Sequence, residues 1–194
     1  MKIMSQDPDI PHSDSLKSNN HDSDTIEEEK VRVLGLKEDW AVIPYLVLIV
    51  IGFIVSIIDF VLVQMLVFQL VWVIIGVPVL VFGSVMRTLP RRSLIKAGFG
   101  SIFKTPYLQI VENHRLVTEG YYKYIRHPIY LGEIGRMFGW TITFSSLYGF
   151  VFMTIALVFL LIRIEIEEKM LIKAFGEEYK KYQRTTKKLI PFLY

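Results

Sequence analysis

The sequence predicts an all-α integral membrane protein of four to five transmembrane helices in two hairpins, with a cytosolic polar segment between them and a C-terminal cytosolic helix. Three observations carry this. Apolar residues make up 52% of the chain, more than a soluble domain of this size needs to fill a core. Residues 41–85 contain no Lys, Arg or Glu, and about 20 apolar residues suffice for one crossing. A second apolar block runs from about Ile129 to Ile162 and is broken by turn-compatible residues at Ser145, Ser146 and Gly149.

Residues 1–38 form an acidic tail. Its first thirty residues carry eight acids, several Ser, Asn and Pro, and no apolar run, a composition that predicts disorder. No basic start followed by an apolar stretch occurs before about Trp40, so the first span itself is expected to direct insertion. Residues 39–92 hold the first hairpin. Between residues 41 and 85 the strongly polar side chains are Asp59, Gln64 and Gln69, which mark a tight turn. Arg87, Pro90, Arg91 and Arg92 are expected to end its second span, because charge belongs at the headgroups and proline disfavours continued helix.

Residues 93–194 hold the rest: a polar segment to about 128, the second hairpin, and a helical pattern from Arg163 to Tyr182. In that pattern Ile164, Met170, Leu171, Ala174, Phe175 and Tyr179 alternate with acids and lysines at helical spacing. The pattern prolongs the fourth span, with Gly176 as a weak point and Pro191 as a stop. None of the 22 Lys and Arg residues falls near 60–68 or 144–149. The positive-inside rule then places both termini and residues 87–128 together in the cytosol. The net charge of +3 reads as topological, and no nucleic-acid partner is expected.

The chain has no cysteine, which excludes disulfides, thiolate nucleophiles and cysteine-ligated metals. Two histidines thirteen residues apart (His114, His127), with no HExxH pattern, give no metal site. Two clusters remain. The first is His114-Arg115-Leu116-Val117-Thr118-Glu119-Gly120-Tyr121-Tyr122 followed by Arg126-His127-Pro128-Ile129-Tyr130-Leu131-Gly132-Glu133. Pro128 suits a first helical turn, and free amides at a helix start can receive an anion. The same residues also suit a boundary loop whose Arg126, His127 and tyrosines reach the headgroups. Glu133 and Arg136 fall inside the next span, where ionisable groups face a bundle interior or pair with each other. The second cluster is Arg163-Ile164-Glu165-Ile166-Glu167-Glu168, in which Arg163 and Glu167 stand one turn apart as a site or as an ordinary ion pair.

The pattern Gly120-x-Tyr122-x-x-x-Arg126-His127-Pro128-x-Tyr130-x-Gly132 resembles the isoprenylcysteine carboxyl methyltransferase family. So do Arg163-x-Glu165-x-Glu167-Glu168, Phe175-Gly176-Glu177-Glu178-Tyr179-x-x-Tyr182 and the Pro191-Phe192 pair. The resemblance covers roughly residues 105–194. It implies methylation of the C-terminal carboxylate of a prenylated cysteine by S-adenosylmethionine, with S-adenosylhomocysteine as product and membrane lipids as surroundings. By the same resemblance Gln109, His114, Arg115, Leu116, Val117, Tyr122, His127, Pro128, Ile129 and Tyr130 line the cofactor site, and Glu167 closes it. Arg163 holds the substrate carboxylate. Two other readings remain open: a membrane phospholipid-amine methyltransferase, and a non-enzymatic membrane scaffold that binds no cofactor.

Overall fold

The computed structural model describes residues 31–33, 38–64, 69–96, 109–111 and 116–190. Four long helices make its body: α1 (Val42–Asp59), α2 (Gln69–Lys96), α3 (Pro128–Thr143) and α4 (Leu147–Phe175). A short α5 (Glu177–Thr185) follows. Two three-residue strands, β1 (Val31–Val33) and β2 (Gln109–Val111), pair antiparallel with Val31 opposite Val111. The part of the acidic tail before residue 31 lies outside the described residues.

The breaks fall where the polar and small residues stand. After Asp59 the chain passes into a π-helical turn over Phe60–Gln64 before α2 begins. Between α3 and α4, Ser145 takes a positive φ of 51°, and the Ser146 hydroxyl caps α4 by accepting from the Gly149 amide at 2.9 Å, one of the donors a helix start leaves unpaired. At the far end of α4, Gly176 adopts φ +56°, which a side chain disfavours, so the long helical pattern splits there into α4 and α5.

Val42–Leu62, Leu70–Lys96 and Leu147–Phe175 are long and apolar enough to cross a membrane. The helix expected as the third span, α3, has 16 residues and is about 24 Å long, shorter than the hydrocarbon layer of about 30 Å. Side chains such as Leu62 and Leu70 are 76% and 71% exposed; in an integral membrane protein this surface meets lipid, not water. One sequence expectation is corrected here. The helix α2 does not end at Arg87–Arg92 but continues through Pro78 and Pro90 to Lys96. Arginine stems can carry their charge to the headgroups without the helix stopping, and a proline inside a membrane helix costs little where neighbours resatisfy the freed carbonyl.

Pairing is the second correction. The two helices of each expected hairpin are not mutually the closest: α2 packs antiparallel along α3, and α1 along α4. Glycines explain the choice, because where no hydrophobic effect drives helices together, backbone proximity supplies the contact. A Cβ on Gly76 would strike the Thr143 backbone, on Gly83 the Gly135–Arg136 backbone, on Gly132 that of Met86–Arg87, and on Gly139 that of Leu80. In the other pair, Gly52 receives Phe152 and Met153, and Gly149 receives Ser56. Between the pairs lies a core of Tyr45, Ile49, Met137, Met153, Ala156 and Leu160.

The ionisable residues inside α3 are accounted for in the same interface. Glu133, buried, sits 2.5 Å from the Arg87 guanidinium of α2 and 3.6 Å from that of Arg136 on its own helix. It therefore bridges two arginines, one of them across the glycine seam.

Candidate functional site

The site assembles where the chain enters α3. Gly120 takes φ +63° with open space where a side chain would stand, so it serves the turn and not a close approach. A 3₁₀ turn (Gly120–Lys123) follows, then a short run into His127 with an isolated bridge between Ile125 and Lys187. That run is held by backbone pairing to residues after α5: the Arg126 amide donates to the Lys187 carbonyl at 2.8 Å, His127 to Lys188 at 3.1 Å, and Lys187 to Tyr124 at 3.1 Å. Pro128, buried, opens α3 at a position where its missing N–H costs nothing.

Glu168 is the acceptor around which this junction closes. Its Oε1 accepts from Arg126 Nε at 2.7 Å and lies 3.2 Å from His127 Nε2, while Oε2 accepts from Gln183 Nε2 at 3.1 Å. Arg126 also donates through Nη1 to the carbonyls of Thr186, at 2.6 Å, and Gln183, at 3.2 Å. Because a carboxylate only accepts, His127 presents its Nε2 hydrogen to Glu168, which fixes the ring. The opposite nitrogen, Nδ1, faces Glu167 Oε2 at 3.8 Å. The Tyr130 side chain reaches Glu167 as well, and the Tyr130 ring stands 5.6 Å from that of His127.

Tyr182 ties α5 to the turn by donating its hydroxyl to the Tyr122 carbonyl at 2.6 Å. Burial, together with the Glu168 charge and against that of Arg126, pushes the Tyr182 phenol above its usual range, so it remains a neutral donor. Tyr182→Phe strands a buried carbonyl. The expected loss is about 1–2 kcal/mol, readable as a lowered thermal midpoint in detergent.

Several expected site residues converge. Tyr122, His127, Tyr130 and Glu167 come together, with Pro128 and Ile129 opening the helix beneath them. Burial, and after it the charge of Glu167, push the Tyr122 phenol well above its ordinary range. Among the described residues, Tyr122 Oη, Tyr179 Oη and Glu167 Oε2 are buried without a hydrogen-bond partner, and leaving such atoms unpaired costs about 1–3 kcal/mol each. The first turn of α3 adds amides with no side-chain cap. Leu116 and Val117 lie half-buried just before the turn. Gln109 is placed by its backbone in β2, opposite Val33; its side chain, like His114 and Arg115, lies outside the described residues.

Arg163 is buried on α4 one turn before Glu167, and its Nη2 lies 3.2 Å from Oδ2 of Asp39, a fully buried residue just ahead of α1. Sequence reasoning missed Asp39 and the organising role of Glu168. The doubled acid Glu167-Glu168 was the available signal for the latter: neighbours on a helix point about 100° apart, so the two serve different partners.

A sequence profile described as "Isoprenylcysteine carboxyl methyltransferase (ICMT) family" matches residues 72–173. The chain is 33% identical over 132 residues to the protein-S-isoprenylcysteine O-methyltransferase of Xenopus laevis, covering 64% of this chain and 43% of that protein. It is 35% identical over 133 residues to that of Dictyostelium discoideum, covering 64% and 50%. A methanethiol S-methyltransferase of Crocosphaera subtropica is 34% identical over 76 residues, covering 39% and 29%. Among solved structures, the eukaryotic intramembrane Ras methyltransferase ICMT superposes with a TM-score of 0.58 at 27% identity, covering 77% of this chain and 52% of that one. The matched stretches thus span about half or less of these proteins' lengths.

Proposed function

This chain belongs to the isoprenylcysteine carboxyl methyltransferase family, and from that membership and the site geometry we propose that it methylates a lipophilic carboxylate with S-adenosylmethionine. The acceptor in this reading is the C-terminal carboxylate of a prenylated cysteine or a similar acid, taken up at the membrane surface. One observation carries it: α4 presents Arg163 and Glu167 one turn apart, the cation already holding a carboxylate and the acid facing His127 and Tyr130.

The residues fit the cofactor. Glu167, with Tyr122 and Tyr130 beside it, offers negative charge and aromatic faces to a sulfonium and an ammonium, and the buried partnerless oxygens are the groups a polar ligand would pair. His127, Pro128 and Ile129 set the floor in this reading, Leu116 and Val117 adjoin them, and Gln109, His114 and Arg115 are assigned to the cofactor by the family resemblance alone. When bound, the cofactor supplies an activated methyl group and leaves as the neutral thioether S-adenosylhomocysteine.

What remains for the protein is placement. Arg163 orients the acceptor carboxylate, which is already ionised and nucleophilic, so no general base is required. Holding the two reactants in line accounts for much of the rate. Burial strengthens the attraction of Arg163 for the carboxylate and keeps water from competing. A cationic Arg163 is a poor neighbour for an ammonium headgroup, which weighs against a phospholipid-amine acceptor. The basic residues cluster at one end of the helices, so the positive-inside rule puts this site and both termini in the cytosol.

Purified protein in detergent, given methyl-labelled S-adenosylmethionine and N-acetyl-S-farnesylcysteine, is expected to form a base-labile methyl ester. Label appearing only with methanethiol, or only with an amine phospholipid, would reject the carboxylate acceptor. Folded protein that binds no S-adenosylmethionine would reject the enzyme reading in favour of a scaffold.

A further inference from the structure

Asp39 stands where the sequence offers no reason to expect a site residue. It belongs to the turn before α1, where its carbonyl accepts from the Val42 amide at 3.4 Å, and it is fully buried. Trp40 beside it sets its ring edge-on to Phe159, with centroids 6.1 Å apart. Phe159 and Arg163 are one turn apart on α4, so the Asp39-Trp40 pair reads a single face of that helix. Upstream, β1 pairs with β2, so the same N-terminal stretch touches the chain leading into the cofactor wall.

A buried guanidinium needs an anion, because an uncompensated charge away from water is costly. Asp39 supplies one at 3.2 Å, and it is a carboxylate, the same group the proposed acceptor carries. We propose that Asp39 is an internal stand-in for the acceptor carboxylate, which the acceptor must displace from Arg163 in order to bind. The inference rests on the carboxylate-methylating reading above.

Specificity is the consequence. Exchanging one carboxylate for another gains little by itself, so a small soluble acid cannot capture Arg163. An acceptor with a long hydrocarbon tail brings binding energy from elsewhere and uses it to move Asp39 aside. Discrimination is thereby built as a penalty against wrong ligands as well as an attraction for the right one. A mere clamp between α1 and α4 makes the opposite forecast, since loosening it should misplace Arg163 and weaken binding.

The test compares N-acetyl-S-farnesylcysteine with its neutral carboxamide, on wild type and Asp39→Asn, by binding and by methyl transfer. The stand-in predicts that wild type binds acid and amide within about threefold of each other, and that Asp39→Asn favours the acid by at least about tenfold, because the acceptor carboxylate then no longer competes with that of Asp39 for Arg163. The KM for the acid should fall by a similar factor while kcat stays within about threefold. An unchanged or raised KM in Asp39→Asn, with wild-type transfer intact, overturns this inference alone. Absence of transfer by wild type overturns the functional reading and this inference with it. Should Asp39→Asn fail to fold, the wild-type comparison still decides: acid held about a hundredfold tighter than amide overturns the stand-in.

Discussion

Arg163→Ala is expected to lower kcat/KM for the farnesylated acid by about three orders of magnitude while leaving S-adenosylmethionine affinity within about threefold. A factor of that size corresponds to about 4 kcal/mol of lost transition-state stabilisation, within the range that positioning of two reactants supplies. The split between transfer and cofactor binding is the informative part, because Arg163 meets Asp39 whereas Glu167 faces His127 and Tyr130. The substitution also strands a buried Asp39 carboxylate, so the protein should lose stability as well. Asp39→Asn combined with Arg163→Ala should recover most of that stability and none of the activity, since removing both halves of a buried pair is far milder than removing one. If the single variant keeps wild-type transfer, the role of Arg163 proposed here is wrong. Radiolabel transfer, cofactor titration and thermal unfolding in the same detergent read all three effects.

Two adjacent acids should respond in opposite ways. Glu168→Ala removes a buried carboxylate, leaves the half-buried Arg126 without its partner at 2.7 Å and releases His127 and Gln183. Removing one partner of a buried ion pair costs about 3–5 kcal/mol, so this variant is expected to unfold at a much lower temperature and to expose the residues after α4 to protease. Glu167→Ala removes a carboxylate with an oxygen that has no hydrogen-bond partner among the described residues. It should retain the wild-type thermal midpoint within a few degrees and lose S-adenosylmethionine affinity by about tenfold or more, as the loss of a charged contact to a ligand does. Equal destabilisation in both variants would mean that Glu167 is structural and the cofactor wall lies elsewhere.

Much of this fold can be read from one-dimensional hydropathy. The breaks near Asp59 and at Ser145-Ser146, the start of α3 at Pro128 and the interruption at Gly176 all follow from local chemistry: polar residues, a capping hydroxyl, a proline at a helix start, a positive φ. Helix pairing does not follow from that pattern, because apolar side chains are equally content against lipid or protein. It is decided by which faces carry Gly76, Gly83, Gly132 and Gly139, a spacing visible in the sequence but silent on its partner. The end of α2 was misjudged for a related reason, since Arg87 to Arg92 report the membrane boundary and not the helix boundary.

Tyr122, His127, Tyr130 and Glu167, which the fold brings together, could be singled out in the sequence because they lie in compact motifs. Asp39 could not. It meets Arg163 from far away in sequence, from the turn ahead of α1 onto the middle of α4, and nothing near Asp39 in sequence signals the encounter. Glu168 was visible but indistinct from Glu167, because only the orientation of the helix tells which acid faces Arg126 and which faces Tyr130.

The glycine contacts between α2 and α3 fix more than a pairing. Two helices in backbone contact leave no crevice for a hydrocarbon tail, so a prenyl chain has to lie along other surfaces of the bundle. The same contacts set depth: Gly132 rests against Met86–Arg87 only four residues after Pro128, so the basic end of α2 and the start of α3 occupy one level. Whatever depth Arg87 to Arg92 find among the lipid headgroups is therefore handed on to His127, so the basic end of α2 sets the level of the residues proposed to carry the chemistry.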